Sequence, residues 1–227
     1  MLFLIKLNYL CKIFNKKMEE TENLISLFDK NNMSAIKTIK NNAELNRFYV
    51  DKTRIPKPFY GNIANVKAIV IGPDPSLDKS LSNKYVFGLE NPGSKYFRSH
   101  EFNLRTIGLG LDNIYVQNLV QNYCTRVTDK NPNWFEFAEI WKPTLKQELD
   151  TLFSPNIPVF FTSARVLSAL VNDKVYKIKL PEYYLEGKFI KPSENYLNRT
   201  MIPMLGSHYY NKWELFSKKA KEIIHKL

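Results

Sequence analysis

The chain has 227 residues, of which 44% are hydrophobic, and this length suits one globular domain with a full-sized core. Its two cysteines are too few for a disulfide framework or an all-cysteine metal cluster, and they favour a reducing, cytoplasmic location. The formal net charge of +11 favours a polyanionic partner, with nucleic acid first and an anionic membrane surface second. Solvated lysines and biased codon usage also produce basic chains, so charge alone does not identify the partner.

The N-terminal part changes composition at Met18, where an apolar stretch gives way to acidic residues. Residues 1–17 are too short and too interrupted to span a bilayer, and they lack the order of a signal peptide. We expect translation to start at Met18, which would make residues 1–17 an over-called extension, that is, one assigned to the chain in error. The alternative is that they form an interfacial amphipathic helix. Residues 18–60 are predicted to form a helical segment with a break at Asn31 and Asn32, followed by a lead-in loop. Residues 61–227 then form the main domain.

Apolar runs predict four buried strands that alternate with helices. The first strand, Val66–Ile71, stops abruptly at Gly72. The other three predicted strands are 113–117, 157–162 and 200–205. Helical spacing is found at 97–111, at 134–152 with a kink or a fresh start at Pro143, after Ser163, and at 213–227. This order predicts a three-layer α/β/α fold in which helices flank a central four-stranded parallel sheet, with residues 173–198 as a long surface excursion.

Each predicted strand ends in a polar side chain, and these are, in chain order, Asp74, Asn118, Ser163 and His208. The carboxyl ends of parallel strands lie at one edge of the sheet, so Asp74, Asn118 and His208 are expected to converge in one pocket. Each also has a plainer interpretation when it is taken alone. Asp74 and Asn118 suit turns or helix caps, and His208 suits a surface loop. Their shared position in the topology favours a functional site.

These residues resemble the motifs of the uracil-DNA glycosylase superfamily, from about Ile55 to the C-terminus. The turn Gly72-Pro73-Asp74-Pro75-Ser76 is similar to the family's first motif, a Gly-x-Asp-Pro turn that ends the first strand. Asn118 resembles the strand-end asparagine of the family. Gly206-Ser207-His208 resembles a degenerate form of its last motif, and Phe87 resembles the phenylalanine that stacks on the extruded base.

The resemblance implies a monofunctional DNA glycosylase, a hydrolase of DNA repair that acts on a flipped-out base. It would cleave the N-glycosidic bond of uracil, or of a related damaged base, in single- or double-stranded DNA and leave an abasic site. Asp74 would stabilise the sugar cation and activate water, and His208 would donate to O2 of the base. No metal or redox cofactor is implied, since the family's iron–sulfur branch uses four cysteines. A monomer without membrane contact is expected.

Further site residues follow from the same resemblance. Asn118 would pair with N3–H and O4 of uracil, a pattern that cytosine does not present. The base-binding residues implied are Phe87, Asn118, Gly72 and Pro73. Phosphate contacts are expected from Ser76, Ser163, Arg165 and Ser207. For Ser163, plain helix capping is an equally good interpretation. Tyr209 and Tyr210 are wedge candidates for the gap left in the duplex, and the alternative is that both pack on the final helix.

The chain departs from the family pattern in ways that concern specificity. Ser76 stands where an aromatic residue of the best-known branch excludes thymine, and Pro73 lacks a backbone N–H. Hypoxanthine, xanthine or another damaged base would also suit a reshaped pocket. A catalytically silent DNA-binding scaffold of the same fold is the alternative function, and the weakened last motif supports it. An unrelated nucleotide-binding α/β enzyme is a third hypothesis, which no Gly-rich phosphate loop supports.

Overall fold

The structure is a computed structural model that describes residues 30, 32–51, 54–75, 83–91, 97–172, 188–204 and 210–227. The predictions for residues 1–17 and for Asn31 lie outside these residues. Five strands are described: β1 Phe59–Tyr60, β2 Ala68–Gly72, β3 Ile114–Asn118, β4 Val159–Phe161 and β5 Met201–Pro203. Six helices accompany them: α1 at 32–41, α2 Ala43–Asn46, α3 Arg98–Thr106, α4 Trp134–Leu152, α5 Ala164–Leu170 and α6 Tyr210–Ile224.

The sheet has the strand order β1-β3-β2-β4-β5. Strands β2 to β5 are parallel, as the alternation of strands and helices predicts, whereas β1 runs antiparallel to β3 at the edge. The prediction of four strands, all parallel, is therefore correct for β2 to β5 and wrong at the edge that β1 adds. Strand β1 has only two residues, and a segment this short carries no hydrophobic periodicity by which the sequence would reveal it.

Helices cover both faces of the sheet, which gives the expected three layers. Ile69 and Ile71 point from β2 into one hydrophobic cluster, which contains apolar residues of α1, α4 and α5. Ala68 and Val70 point into a second cluster on the other face, with residues of α3 and α6. All five residues of β2 are buried, because the strand is central and covered on both sides.

The order of connections places a crevice next to β2. The chain leaves β2 toward β3 on one side of the sheet, and β4, on the other side of β2, continues to β5. Adjacent parallel strands whose connections leave in opposite directions form a topological switch point, where ligands bind at the carboxyl ends. Asp74 follows β2 and Ser163 follows β4, so both candidate residues lie at this switch point.

Several helix boundaries differ from the sequence-based prediction. Helix α4 continues as one helix through Pro143, so this proline does not mark a fresh start. Helix α3 ends at Thr106 and not at residue 111, and Gly108 follows it with a φ of 81°. A glycine in this left-handed conformation is a common helix stop. Residues 188–198 were predicted to belong to a surface excursion, but Ile190 and Leu197 are buried in the core, and Ile190 pairs with β5.

Two further observations concern cysteine and the membrane. Cys124 is a free thiol that is almost completely buried, which is common for this small, weakly polar residue. In the part of the chain that the structure describes, no helix is long and apolar enough to cross a membrane.

Candidate active site at the carboxyl edge of the sheet

Asp74 lies just beyond β2 in a turn that the neighbouring strand holds in place. The carbonyl oxygens of Gly72 and Pro73 accept hydrogen bonds from the backbone of Leu119 (2.8 Å) and Val120 (2.9 Å). Pairing with the β3 segment therefore continues past the strand end, up to the residue before Asp74. The absence of an N–H at Pro73 costs this pairing nothing, because Pro73 takes part through its carbonyl group.

The Asp74 carboxyl group is half-buried and accepts two hydrogen bonds from the loop and helix that follow β3. The Thr128 hydroxyl and the Trp134 indole N–H both donate to Oδ1, the indole at 2.9 Å. Among the described residues both donors use the same oxygen, so Oδ2 is the atom that can meet a water molecule or a substrate. The side chain is thus held in one orientation without being fully engaged.

Burial raises the pKa of Asp74 to about 6. The hydrogen bonds from Thr128 and Trp134 and the positive charge of Arg165 oppose this rise, while the carboxylate of Asp129 adds to it. At neutral pH the group is therefore mostly ionised, but its charge is less stable than that of an exposed carboxylate. A carboxylate of this kind is suited to stabilising a developing positive charge or to accepting a proton from water.

Phe87 and Asn118 meet above Gly72 at the end of β2. A Cβ atom placed on Gly72 would lie 2.4 Å from Cζ of Phe87 and 2.6 Å from Oδ1 of Asn118. Such distances are shorter than any ordinary contact, so only glycine permits this approach. Asn118 is directly opposite Gly72 in the β2–β3 register, which sets its amide at this position. The structure thus brings together three of the predicted base-binding residues, and Pro73 follows directly.

Phe87 has an unusual backbone conformation for an aromatic residue. Its φ is 56°, in the left-handed region, and it is followed by Gly88 with a φ of 65°. Bulky residues rarely adopt this region, and strained residues are frequent at binding sites, where the surrounding packing maintains them. The ring of Phe87 packs against Phe97 and His100, with centroid distances of 5.3 and 6.1 Å. The aromatic side chain is therefore fixed from two sides.

His100 supports this aromatic group from within the core. It lies on α3, is 6% exposed, and is hydrogen-bonded to the backbone of Met204, just after β5. Burial lowers the pKa of His100 to about 4, so the ring is neutral at physiological pH. Its Nδ1 atom has no hydrogen-bond partner among the described residues. His100 connects the Phe87 ring to the segment that precedes the predicted histidine motif.

Ser163 and Arg165 occupy the neighbouring strand end, after β4. The Ser163 hydroxyl accepts a hydrogen bond from the Arg165 backbone N–H at 3.1 Å, so the helix-capping interpretation of Ser163 is confirmed. The Arg165 guanidinium donates to the carbonyl oxygens of Asp129 (3.1 Å) and Asn131 (3.4 Å). It also pairs with the Asp129 carboxylate at 3.4 Å. Arg165 therefore holds the loop that carries Thr128 against the site, and its role toward phosphate stays a prediction.

Other predicted site residues lie outside the described residues. These are Ser76, Ser207, His208 and Tyr209. Tyr210 begins α6, and only its backbone is described. The convergence of His208 with Asp74 and Asn118 therefore stays a prediction, as do the phosphate and wedge assignments.

Sequence reasoning missed several residues that shape the site. Trp134 begins a helix that the sequence predicts from apolar spacing alone, although its indole N–H is one of the two donors to Asp74. The helical spacing around His100 indicates that it is buried, since it follows Phe97 by three residues and precedes Leu104 by four, and both of these are buried. Glu148 similarly lies on the apolar face of α4, next to Leu145 and Leu149. Polar residues on a buried helix face are the signal that reveals such groups.

No cluster of three or more histidine, cysteine or acidic side chains in the described ranges could hold a metal ion. Neither a model of a known protein family nor a curated protein matches this chain. The molecule is thus defined as an α/β protein with a candidate pocket at the carboxyl edge of its parallel strands, and its function is argued from that pocket.

Proposed function

We propose that the protein is a monofunctional DNA glycosylase that hydrolyses the N-glycosidic bond of a flipped-out uracil, or of a related damaged base. The observation that carries this proposal is the meeting of the Phe87 ring and the Asn118 amide above Gly72, two residues before a half-buried carboxyl group. An aromatic ring, an amide and a carboxylate are the three groups that this reaction needs for stacking, for base reading and for charge stabilisation. They come from three separate segments of the chain.

Recognition of the base rests on Phe87 and Asn118. An aromatic side chain that stacks on an extruded base contributes about 1–3 kcal/mol, which offsets part of the cost of unstacking it from DNA. The Asn118 amide has both a donor and an acceptor, so it can pair with N3–H and O4 of uracil. Cytosine presents the opposite pattern and would leave the amide unpaired, which is the basis for discrimination.

Bond cleavage rests on Asp74. In the reaction the C1′–N bond breaks with its electron pair leaving on the base, and water supplies a hydroxyl group to C1′ and, by way of Asp74, the proton that neutralises the released base. The ionised Asp74 stabilises the positive charge that develops on the sugar and accepts the proton of the attacking water. His208 is assigned to the base side of the reaction, where it donates to O2.

DNA is the proposed substrate because the chain carries a formal charge of +11, and a polyanion is the partner that this charge favours. Arg165 lies beside the candidate pocket and interacts electrostatically with Asp74. A guanidinium group at this position can contact the phosphate that flanks an extruded nucleotide.

A catalytically silent DNA-binding scaffold is the second candidate, and one observation favours it. Thr128 and Trp134 both satisfy Oδ1 of Asp74, as they would for a carboxyl group that only stabilises the turn. In this alternative the site keeps its form and the chain keeps its charge, but no bond is cleaved.

Excision of uracil from a labelled oligonucleotide tests the proposal. The oligonucleotide carries one uracil, is used single- and double-stranded, and is treated with alkali to cut at any abasic site. The wild-type protein is expected to give strand scission, and Asp74→Asn is expected to lose it while still binding DNA. Asp112→Asn is the matched control, since Asp112 is exposed and lies before β3, at the opposite edge of the sheet from Asp74.

The outcomes separate the two candidates. Scission by the wild type and by Asp112→Asn, but not by Asp74→Asn, supports the glycosylase. If the wild type binds DNA but releases neither uracil nor any base from a panel containing hypoxanthine and xanthine, the glycosylase is overturned and the scaffold is favoured.

A further inference from the structure

The backbone N–H of Asn118 is held by a side chain and not by a strand. Edge strand β1 pairs only with Tyr115 and Val116. Asn118 lies two residues past Val116, so its N–H is beyond the end of β1. The amide oxygen Oε1 of Gln117 accepts this N–H at 2.9 Å. Gln117 therefore replaces the missing strand partner at the position from which the base-reading amide projects.

The Gln117 amide is itself oriented by a buried carboxyl group of α4. Its Nε2 donates to Oε1 of Glu148 at 3.1 Å, and the Tyr115 hydroxyl donates to the same oxygen. Glu148 is 2% exposed, and Gln117 is 1% exposed. Because Glu148 Oε1 accepts the Nε2 group, the carbonyl end of Gln117 must face Asn118. The connection thus runs from Glu148 through Gln117 to the Asn118 peptide group.

Burying this polar network costs more free energy than a contact that only served packing would require. Burial raises the pKa of Glu148, which means that its ionised form is disfavoured inside the core. A phenylalanine at position 115 would fill the same space as the neighbouring Tyr115 without burying a hydroxyl group. A buried polar network of this kind fixes orientation, because each member has only one favourable geometry.

We propose that Gln117 and Glu148 are positioning residues that set the orientation of Asn118 and thereby the discrimination between uracil and cytosine, an inference that rests on the proposed function. Neither side chain reaches the base, and both act through the Asn118 backbone. The amide of Asn118 distinguishes the two bases only while its donor and acceptor are held in one orientation. Displacements of about 1 Å at a reacting or reading group can lower the rate by about a hundredfold.

Three variants separate positioning from packing. Gln117→Met keeps the length and volume of the side chain but removes both polar ends. Glu148→Leu removes the acceptor that orients Gln117, and Glu148→Gln retains an acceptor oxygen and should rescue much of the effect. Tyr115→Phe is the matched control, because it removes one hydrogen bond to Glu148 and leaves the Gln117–Asn118 connection intact.

Two readouts are used, and the first does not require activity. Hydrogen exchange of the Asn118 backbone amide, followed by NMR, is expected to be at least tenfold faster in Gln117→Met than in the wild type. The amide of Val116, in the interior of β3, should change little, and Tyr115→Phe should stay within about threefold at Asn118. The second readout is the ratio of kcat/KM for uracil over cytosine. This ratio is expected to fall at least tenfold in Gln117→Met and Glu148→Leu.

The outcomes distinguish this inference from the proposed function. If the wild type excises uracil and Gln117→Met retains both the slow exchange at Asn118 and the full uracil-to-cytosine ratio, the inference is overturned and the glycosylase stands. If Tyr115→Phe changes the ratio as much as Gln117→Met, the network acts only through stability and the inference is again overturned. If the wild type excises nothing, the proposed role in base discrimination is overturned together with the proposed function. Hydrogen exchange at Asn118 alone then decides whether Gln117 and Glu148 hold the Asn118 backbone.

Discussion

At the scale of single residues, the ionisation of Asp74 couples activity to pH. The carboxyl group acts as an anion in the proposed reaction, and burial raises its pKa to about 6. We therefore expect kcat/KM to rise as the pH increases through about 6 and to level off above 7. A pH series of kcat/KM, from initial excision rates at low substrate concentration, measures this. A profile that stays flat between pH 5 and 7 would show that Asp74 does not act as the ionised group.

The same raised pKa predicts that Asp74 lowers the stability of the folded protein at neutral pH. The folded state binds the Asp74 proton more tightly than the unfolded state, so stability contributed by this group is lost as the pH rises through about 6. Asp74→Asn can still accept hydrogen bonds from Thr128 and Trp134. It should raise the free energy of unfolding by about 2 kcal/mol at pH 8 and by little at pH 4, measured by urea denaturation. A gain that is equal at both pH values would contradict the assignment.

Gly72 offers a third test at this scale, because any side chain there would displace the Phe87 ring and the Asn118 amide. Gly72→Ala is expected to reduce excision at least a hundredfold, since both base-binding groups must move. The matched control is Gly108→Ala, which meets no atom within 4 Å but is strained by a φ of 81°. That strain should cost about 1 kcal/mol of stability without affecting excision. Loss of excision in both variants would point to general destabilisation.

At the scale of elements, the sequence predicts what lies along one strand or helix better than what joins two of them. The end of β2 and the position of Asn118 follow from hydrophobic runs and turn residues. The donors to Asp74 do not, because Thr128 and Trp134 are 54 and 60 residues away along the chain. Likewise, no local pattern places Phe87 against Gly72. Tertiary packing determines such pairs, and they make up most of the candidate site.

Arg199 shows how one buried side chain can end a helix. It is 1% exposed and donates to the carbonyl oxygens of Leu149 (3.0 Å), Phe153 (2.9 Å) and Ser154 at the C-terminal end of α4. Its positive charge also lies where a helix terminus is negative. Arg199→Met should therefore lower the free energy of unfolding by about 3 kcal/mol, because buried carbonyl groups lose their partner. Urea denaturation measures the loss.

The control for this variant is Lys146→Met on the same helix. Lys146 pairs with Asp150, which also contacts Arg199, but this pair is open to solvent, with side chains that are 28% and 45% exposed. An exposed ion pair contributes at most about 1 kcal/mol, so the control should lose little stability. Similar losses in the two variants would show that charge, and not capping of α4, is what Arg199 contributes.

At the scale of the whole molecule, the three-layer architecture was predictable, since alternating strands and helices permit few arrangements. The apolar run of β2 predicts a central strand, and the strand order confirms this, but the chain order did not reveal that β3 would lie on one side of it and β4 on the other. That arrangement creates the switch point, and it explains why Asp74 and Arg165 are neighbours although they come from different strand ends. The antiparallel edge strand β1 was not predictable, because two residues are too few for a pattern.

The excess positive charge of the whole chain predicts how DNA binding depends on salt. Each phosphate contact lowers the association constant about three- to fourfold between about 50 and 200 mM salt, because the slope of log K against log salt is about −0.9 per contact. We expect Arg165→Gln to reduce the magnitude of this slope by about one contact. Arg105→Gln removes the same charge from α3, where Arg105 pairs with Glu101 and its side chain is 71% exposed. The slope of this control should equal that of the wild type, and equal reductions in both variants would mean that net charge, rather than a phosphate contact beside Asp74, governs the salt dependence.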